Sequence, residues 1–277
     1  MTRVWLLSGS QKQLVKILCL PRRSRRRSRV SFLPRQAGGR GVCSVAEQKK
    51  ILCGKFVITI DGPAASGKST VARLLAAKLD ATFLDTGAMY RAATLAAMLD
   101  GADLTDQKRI LDVMDETVFE FKATPDGMLV RIDGVDATAQ IRDPKVTANA
   151  RYVACLAPAR ERLVDMQRRF AKAYKRVVTE GRDQGTVAFP DADVKFYLTA
   201  DLDERARRRQ AELKAKGVQQ TDDEIRQAIL KRDQSDENRV VGPLKPAKDA
   251  VIVDTTGLTI EEVVEKLVDC VNARLSE

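Results

Sequence analysis

Histidine is absent from the 277-residue sequence, and that absence excludes two kinds of chemistry. Without an imidazole, the chain has no histidine general acid or base and no histidine metal ligand. Cysteine is scarce, with five residues in the chain. Their number is odd, and no two of them form a C-x-x-C pair. A disulfide framework is therefore not expected, and reduced thiols in a reducing compartment are the default interpretation.

A long apolar run is also missing from the N-terminal part of the chain. The apolar stretch at 14–20 is far shorter than the roughly 20 residues that a membrane span needs. Residues 1–50 hold 13 of the 48 Lys and Arg residues but only one of the 38 acidic residues. The net charge of +10 therefore belongs to this segment, and we expect neither a membrane partner nor a nucleic-acid partner.

Residues 1–50 allow two interpretations. The Arg- and Ser-rich run at 21–29 cannot bury apolar surface, so disorder is expected. A basic composition poor in acid fits a mitochondrial or plastid transit peptide. The alternative, which we favour, is a disordered or mis-started basic extension on a cytoplasmic protein, because the compact part begins near Lys55 and needs nothing upstream.

The most specific motif in the chain is G-x-x-x-x-G-K-[ST], the P-loop that binds nucleotide phosphates. It consists of Gly62, Pro63, Ala64, Ala65, Ser66, Gly67, Lys68, Ser69 and Thr70. An apolar run at 56–60 predicts a buried strand before the loop, and apolar residues near the 3.6 period predict a helix after it. Glycines let backbone N–H groups turn towards phosphate, Lys68 can reach the β- and γ-phosphates, and Ser69 can offer its hydroxyl to Mg²⁺.

The remaining pattern predicts an α/β fold with a parallel sheet and flanking helices. Short apolar runs predict further strands of this sheet at 81–84, 176–179, 194–198 and 250–254. Strands at 117–122 and 128–132, with turns at 125–127 and 133–134, predict a small antiparallel insert. A helix is predicted after the strand at 81–84, and it ends at about 99. Further helices are predicted over 141–174 with a break near 157, from 203 to 216, from 222 to about 233 and from 259 to about 274.

Charged segments follow two predicted strands at their carboxyl ends, where open α/β sheets bind ligands. The first is Asp85-Thr86-Gly87-Ala88-Met89-Tyr90-Arg91, and the second is Glu180-Gly181-Arg182-Asp183. Farther along, Arg205, Arg208 and Arg209 are spaced so that they share one helix face. Solvation of this face and binding of a phosphate explain the spacing about equally well.

From about Lys55 onward, the chain resembles the bacterial-type cytidylate kinases, which belong to the nucleoside monophosphate kinases. The matching stretches are 58–63 with the P-loop, 85–91, 181–186, 204–209 and 254–256. The resemblance implies one domain over 55–277, with a P-loop NTPase-type core that binds ATP. It further implies an antiparallel insert at about 103–145 that binds the nucleoside monophosphate, and a helical lid at about 203–240. The implied reaction transfers the γ-phosphate of ATP to CMP or dCMP with the help of Mg²⁺.

The same resemblance implies roles for individual residues. The residues implied to bind CMP are Thr86, Arg91, Arg160, Gly181, Arg182, Asp183, Arg232, Asp236 and Arg239. The residues implied to be catalytic are Lys68, Arg182, Asp183, Arg205, Arg208 and Arg209. Ser69 is the implied Mg²⁺ ligand, and a monomer with small-molecule nucleotides as its partners is expected.

One position departs from the family pattern and bears on base selectivity. The family commonly has a serine nine residues before the arginine matched by Arg160, whereas this chain has Arg151 there. If Arg151 points into the base pocket, its donors can bond the carbonyl oxygen of cytosine or of uracil. If it points to solvent, Thr86 and its neighbours must set selectivity alone. Either way, weaker discrimination of CMP from UMP is expected.

Three other functions compete with this hypothesis. A kinase of the same fold that acts on UMP, AMP or shikimate stays open because of Arg151. A regulatory GTP switch is disfavoured because the chain has no N-K-x-D guanine motif. A non-catalytic nucleotide-binding module is disfavoured because binding alone needs few of the many arginines.

Overall fold

The computed structural model describes residues 54–124, 127–215 and 217–275. The expectations for residues 1–50 lie outside the described residues, as does most of the turn predicted at 125–127. Within the described ranges, none of the helices combines the length and the apolar character that crossing a membrane requires.

The strands and helices of the described ranges are numbered in chain order. The strands are β1 (Phe56–Asp61), β2 (Thr82–Asp85), β3 (Phe119–Thr124), β4 (Gly127–Ile132), β5 (Val135–Asp136), β6 (Arg176–Glu180), β7 (Val194–Thr199) and β8 (Val251–Asp254). The helices are α1 (Lys68–Lys78), α2 (Thr86–Asp100), α3 (Gln107–Glu116), α4 (Pro144–Cys155), α5 (Ala157–Lys172), α6 (Leu202–Ala215), α7 (Asp222–Glu237) and α8 (Ile260–Leu275). A 3₁₀ turn covers Gln140–Arg142, and a π-helical turn covers Gln184–Ala188.

The central sheet is parallel and has the strand order β2-β6-β1-β7-β8. Its middle strand, β1, pairs with β6 so that Ile60 lies opposite Glu180. On the other side of β6, Asp85 of β2 also lies opposite Glu180. The loops that leave β1, β2 and β6 therefore start side by side at one edge of the sheet. This arrangement confirms the predicted α/β fold and brings the P-loop to both charged segments.

Apolar side chains cover both faces of the central sheet. Val178 of β6 belongs to a cluster with helices α1 and α8, which contribute Leu75 and Leu267. Its neighbour Val177 belongs to a second cluster, built from helices α2 to α5 and the insert. Successive residues of a strand point to opposite faces, so the sheet is buried between two layers. Burial on both faces explains why its strands are nearly continuous apolar runs.

The second sheet, β3-β4-β5, is antiparallel and forms the insert expected from the sequence. The predicted strands at 117–122 and 128–132 are confirmed, with bounds that shift by at most two residues. Helix α3, which precedes them, was not predicted. Its buried stripe is Ile110, Val113 and Met114, the spacing of an amphipathic helix. The pattern was therefore present in the sequence but spans only three turns.

Helices α6 and α7 pair with each other and are called here the α6–α7 hairpin. Thr221 and Glu224 cap the start of α7 reciprocally, each side chain bonding the other's backbone N–H. A small apolar cluster joins the two helices through Ala206, Leu213, Ile225 and Ile229. Helix α7 ends at Glu237, one turn beyond the predicted end near 233. The longer helix places Asp233 and Asp236 three residues apart on one helical face.

Candidate active site

The P-loop curls tightly between β1 and α1. Gly62 has φ 148°, and a Cβ added there would lie 2.0 Å from the carbonyl oxygen of Leu198. Gly67 takes a left-handed conformation with φ 85° just before α1 begins. The Lys68 ammonium donates to the Pro63 carbonyl at 2.5 Å and to Ser66 Oγ at 3.2 Å. The lysine thus lies inside the curl of backbone N–H groups, where a phosphate group is bound in such loops.

The hydroxyl of Ser69 faces a buried carboxylate that was not among the predicted site residues. Ser69 Oγ donates to Glu180 Oε1 at 3.1 Å, and Glu180 is 6% exposed. A hydroxyl oxygen and a carboxylate oxygen are the ligand types that Mg²⁺ prefers, so this pair fits the metal of Mg-ATP. The available signal for Glu180 was its position at the carboxyl end of the strand next to the P-loop strand.

Asp61, the last residue of β1, joins the P-loop to the segment that follows β6. Its carboxylate accepts the backbone N–H groups of Gln184 at 2.9 Å and Gly185 at 2.8 Å. Burial raises the pKa of this carboxyl to about 6, although the two N–H groups oppose the shift. Asp61 was likewise missed, because nothing in its local sequence indicates which backbone groups it meets.

The segment after β2 places Thr86 and Arg91 beside this edge. Thr86 Oγ1 donates to the carbonyl of Glu180 at 2.7 Å. Arg91 reaches back along helix α2 to Asp85 at 3.3 Å. A Cβ on Gly87 would lie 2.9 Å from the Arg91 guanidinium, so the glycine makes room for it. The guanidinium therefore lies over the first turn of α2, where the helix dipole also favours an anion.

Arg160 and Asp183 form a buried ion pair beneath the segment that follows α7. Each side chain is at most 5% exposed. Arg160 also donates to the carbonyl of Ala154 at 3.1 Å, and its guanidinium lies 5.5 Å from the ring centre of Tyr90. The backbone of Gly242, at φ 63°, covers the pair so closely that a Cβ would collide with both partners.

Asp236 pairs with two of the arginines that were predicted to bind CMP. It accepts from Arg182 Nε at 2.7 Å and forms an ion pair with Arg239. Burial alone would raise the pKa of the Asp236 carboxyl, but Arg182 and Arg239 outweigh burial and lower it. The helical extension of α7 is what brings this carboxylate to the edge of the sheet.

Positive charge is crowded around the P-loop. Burial holds the pKa of the Lys68 ammonium well below its usual value, and Arg182 lowers it further against the charge of Glu180. Arg232 is an exposed residue, yet desolvation by its surroundings, followed by Arg182, lowers its pKa to about 10. Cations that disfavour one another in this way gain from any polyanion placed between them.

The three arginines of α6 do not share one environment, although their spacing predicts a common face. Arg205 is buried, pairs with Asp233 and donates to the carbonyl of Ala64 at 3.3 Å. Arg208 donates to Thr255 Oγ1 at 3.0 Å and lies near the P-loop. Arg209 is the most exposed and pairs with Glu212 at 2.9 Å. Two of the three therefore contact the P-loop region, and the third faces outwards.

Arg151 is exposed and stacks on its neighbour. Its guanidinium lies 4.9 Å from the ring centre of Tyr152 and donates to the Tyr152 hydroxyl at 3.2 Å. This position matches the solvent-facing alternative. On that alternative, base selectivity depends on Thr86 and its neighbours.

Comparisons with known proteins identify the family of this chain. The family model described as cytidylate kinase matches residues 58–273, which include the P-loop and both charged segments. This chain belongs to the cytidylate kinase family. A cytidylate kinase from Carboxydothermus hydrogenoformans is 45% identical over 217 residues, covering 78% of this chain and 97% of that protein. One from Rhodococcus jostii is 45% identical over 220 residues, covering 79% of this chain and 96% of that protein.

A solved structure is similar at a lower level. The shikimate kinase from Bacteroides thetaiotaomicron is 16% identical to this cytidylate kinase family member, with a TM-score of 0.39. The match covers 78% of this chain and 98% of that one. Identity this low does not indicate a shared acceptor.

Proposed function

We propose that this chain transfers the γ-phosphate of ATP to CMP or dCMP, giving CDP or dCDP. The observation that carries the proposal is the family match over residues 58–273, which takes in both the P-loop and the arginine-rich segments beside it. The register of β1 and β6 supports it, because donor and acceptor segments leave neighbouring strands. The enzyme is an ATP-dependent phosphotransferase with a phosphate group as its acceptor.

On the donor side, the P-loop from Gly62 to Thr70 binds the phosphates of ATP through backbone N–H groups and Lys68. Ser69 and Glu180 would hold Mg²⁺, with the Ser69 hydroxyl as the ligand already expected from the sequence. The metal supplies neutralisation of the charge on the β- and γ-phosphate oxygens. The crowding of cations around Lys68 supports this assignment, since ATP brings the missing negative charge.

On the acceptor side, one group of residues binds the phosphate of CMP and another binds its nucleoside. The residues assigned to the CMP phosphate are Arg91, Arg182, Arg232 and Arg239. Thr86, Arg160, Gly181 and Asp183 are assigned to the nucleoside, and Asp236 holds Arg182 and Arg239 in place. The Arg160–Asp183 pair, being buried and mutually bonded, supplies a rigid wall for the pocket.

Catalysis then needs position and charge rather than a base. The acceptor phosphate is a dianion near neutral pH, so no side chain has to remove a proton from it. Lys68, Arg182 and Arg208 would stabilise the charge that spreads over the transferring group. The α6–α7 hairpin would act as the lid over about 203–240 and exclude water, which suppresses hydrolysis of ATP.

The same proposal extends to the domain bounds, the oligomeric state and the cellular location of the enzyme. Residues 55–277 form the catalytic domain, with the acceptor-binding insert at about 103–145. We further propose that the enzyme is a monomer that acts in the cytoplasm on small-molecule nucleotides, and that residues 1–50 take no part in catalysis.

A coupled assay of ADP formation tests the reaction. The full chain is supplied with ATP and Mg²⁺ and, in separate reactions, with CMP, dCMP, UMP, AMP or shikimate. CMP and dCMP are expected to give the highest kcat/KM. Turnover of AMP or shikimate at least tenfold faster than CMP would overturn the assignment of the acceptor.

A further inference from the structure

The α6–α7 hairpin bonds both backbone groups of one P-loop residue, Ala64. The Ala64 N–H donates to Asp233 Oδ1 at 3.0 Å, and the Ala64 carbonyl accepts from Arg205 Nη1 at 3.3 Å. The other oxygen of Asp233 pairs with the same nitrogen of Arg205. Ala64, Arg205 and Asp233 thus close a ring of contacts, called here the clasp, with one member from each of the P-loop, α6 and α7.

The clasp is buried, so its two charges depend on each other. The side chains of Arg205 and Asp233 are each 10% exposed. Removing one charge from such a pair leaves the other desolvated and unpaired, which is far more costly than breaking a surface pair. The clasp therefore behaves as a unit that is either formed or broken.

The residue after Ala64 has an unfavourable backbone conformation and packs against the same hairpin. Ala65 has φ 58°, a left-handed value that is uncommon for a residue with a Cβ. Ala65 packs against the apolar cluster of the hairpin formed by Ala206, Leu213, Ile225 and Ile229. The hairpin thus fixes the backbone of Ala64 through hydrogen bonds and the side chain of Ala65 through packing. Both residues lie between Pro63 and Ser66, the two residues that accept from the Lys68 ammonium.

We propose that Asp233 is a positioning residue that couples the hairpin to the P-loop, so that the loop is shaped to bind ATP only when the hairpin is docked on it. In this role Arg205 also acts through the loop, since its guanidinium is committed to Asp233 and Ala64. The inference rests on the proposed use of ATP and adds to it a link between lid position and donor affinity. A rival explanation is that the pair only stabilises the fold.

The variant Asp233→Asn tests the clasp in the full chain. Asparagine has the same size as aspartate. Its NH2 group, however, would face one of the two N–H donors whose hydrogen bonds Asp233 accepts. We expect the Kd for a non-hydrolysable ATP analogue with Mg²⁺, measured by titration calorimetry, to rise by at least about tenfold. The KM for CMP should change less than about threefold, and the Ala64 amide should exchange its hydrogen faster. The matched control is Asp203→Asn, which breaks an exposed ion pair of the hairpin with Arg226 and should change none of these values.

A second variant covers the case in which Asp233→Asn does not fold. The double variant Asp233→Asn with Arg205→Gln removes both charges together and leaves no buried charge unpaired. We expect the Ala64 amide of the double variant to exchange faster than in the native chain, and its Kd for the ATP analogue to rise by at least about tenfold. An unchanged Kd in the folded double variant would refute the coupling. Unchanged affinity for the analogue in a folded Asp233→Asn chain would refute the coupling. Equal losses for the analogue and for CMP, with a lower Tm, would identify a purely structural pair. The binding measurement needs no turnover, so a failure of the proposed reaction would be seen separately in the assay of native enzyme.

Discussion

Replacing Asp61 by asparagine should change the pH dependence of stability in a direction that the structure determines. Asp61 is 3% exposed, and burial raises the pKa of its carboxyl from 3.8 to about 6. Because the folded pKa lies above the unfolded one, this group adds stability that is complete below pH 3.8 and lost as the pH rises through 6. Asparagine has the same shape and does not titrate, so the variant lacks this component.

The magnitude follows from the two pKa values. At pH 7.5 the carboxylate is ionised in both states and proton linkage contributes almost nothing. At pH 5.0 the folded carboxyl is mostly protonated and the unfolded one is not, which stabilises the native chain by about 1.4 kcal/mol. The difference in unfolding free energy between the native chain and Asp61→Asn should therefore be about 1.4 kcal/mol larger at pH 5.0 than at pH 7.5.

Urea denaturation at the two pH values, followed by circular dichroism, measures this difference. The single tryptophan, Trp5, lies outside the described residues, so its fluorescence is not a suitable probe of the domain. Taking the difference from the native chain cancels the titration of the other groups. The matched control is Asp80→Asn, which makes the same chemical change at a carboxylate that is 94% exposed. A gap for Asp61→Asn that stays constant, or that narrows towards pH 5.0, would refute the reasoning.

Three further predictions concern the reaction. Lys68→Ala removes the ammonium inside the P-loop, and kcat in the coupled assay should fall by about 10²–10³-fold in a folded protein; near-native turnover would contradict its role. Deletion of residues 1–50 should leave kcat and Tm essentially unchanged, because a basic segment without apolar periodicity adds no core, and a large loss of either would show that it packs on the domain. Arg151→Ser should leave the ratio of kcat/KM for CMP over UMP unchanged, because Arg151 is exposed and stacks on Tyr152. A rise that corresponds to about 1–2 kcal/mol, the scale of one polar contact, would instead place Arg151 in the base pocket.

The features that could be predicted from the sequence are those whose causes are local. The P-loop is defined by its own residues, and the strand before it by a continuous apolar run. The antiparallel strands of the insert are bounded by turn residues. Helix α3 was not predicted, because a short amphipathic stretch followed by strands gives a weak signal. Its residues Ile110, Val113 and Met114 nevertheless have helical spacing.

Three carboxylates of the site, Asp61, Glu180 and Asp233, could not be assigned from the sequence, because their partners are far away along the chain. Glu180 meets a hydroxyl 111 residues earlier, at Ser69. Asp233 meets a backbone N–H 169 residues earlier, at Ala64. Such contacts depend on the order of strands in the sheet and on the docking of the hairpin. Neither leaves a pattern in the residues that surround the carboxylate.

The same limit applies to the arginines of α6. Their i, i+3, i+4 spacing predicts a shared face of the helix. The spacing does not indicate that Arg205 is buried in an ion pair while Arg209 is exposed. That difference comes from α7, which supplies Asp233 as the partner of Arg205, whereas Arg209 pairs with Glu212 on its own helix.

The parallel pairing of β1 with β6 has a consequence for how the family can change its substrates. Loops from adjacent strands start about 4.8 Å apart, a spacing that the hydrogen bonds of the sheet impose whatever side chains the strands carry. The distance between donor and acceptor is therefore a property of the backbone. Substitutions in either pocket can alter which molecule is held without altering how far its phosphate must travel. A change of acceptor, by evolution or by design, can then begin in residues such as Thr86 and leave the transfer geometry intact.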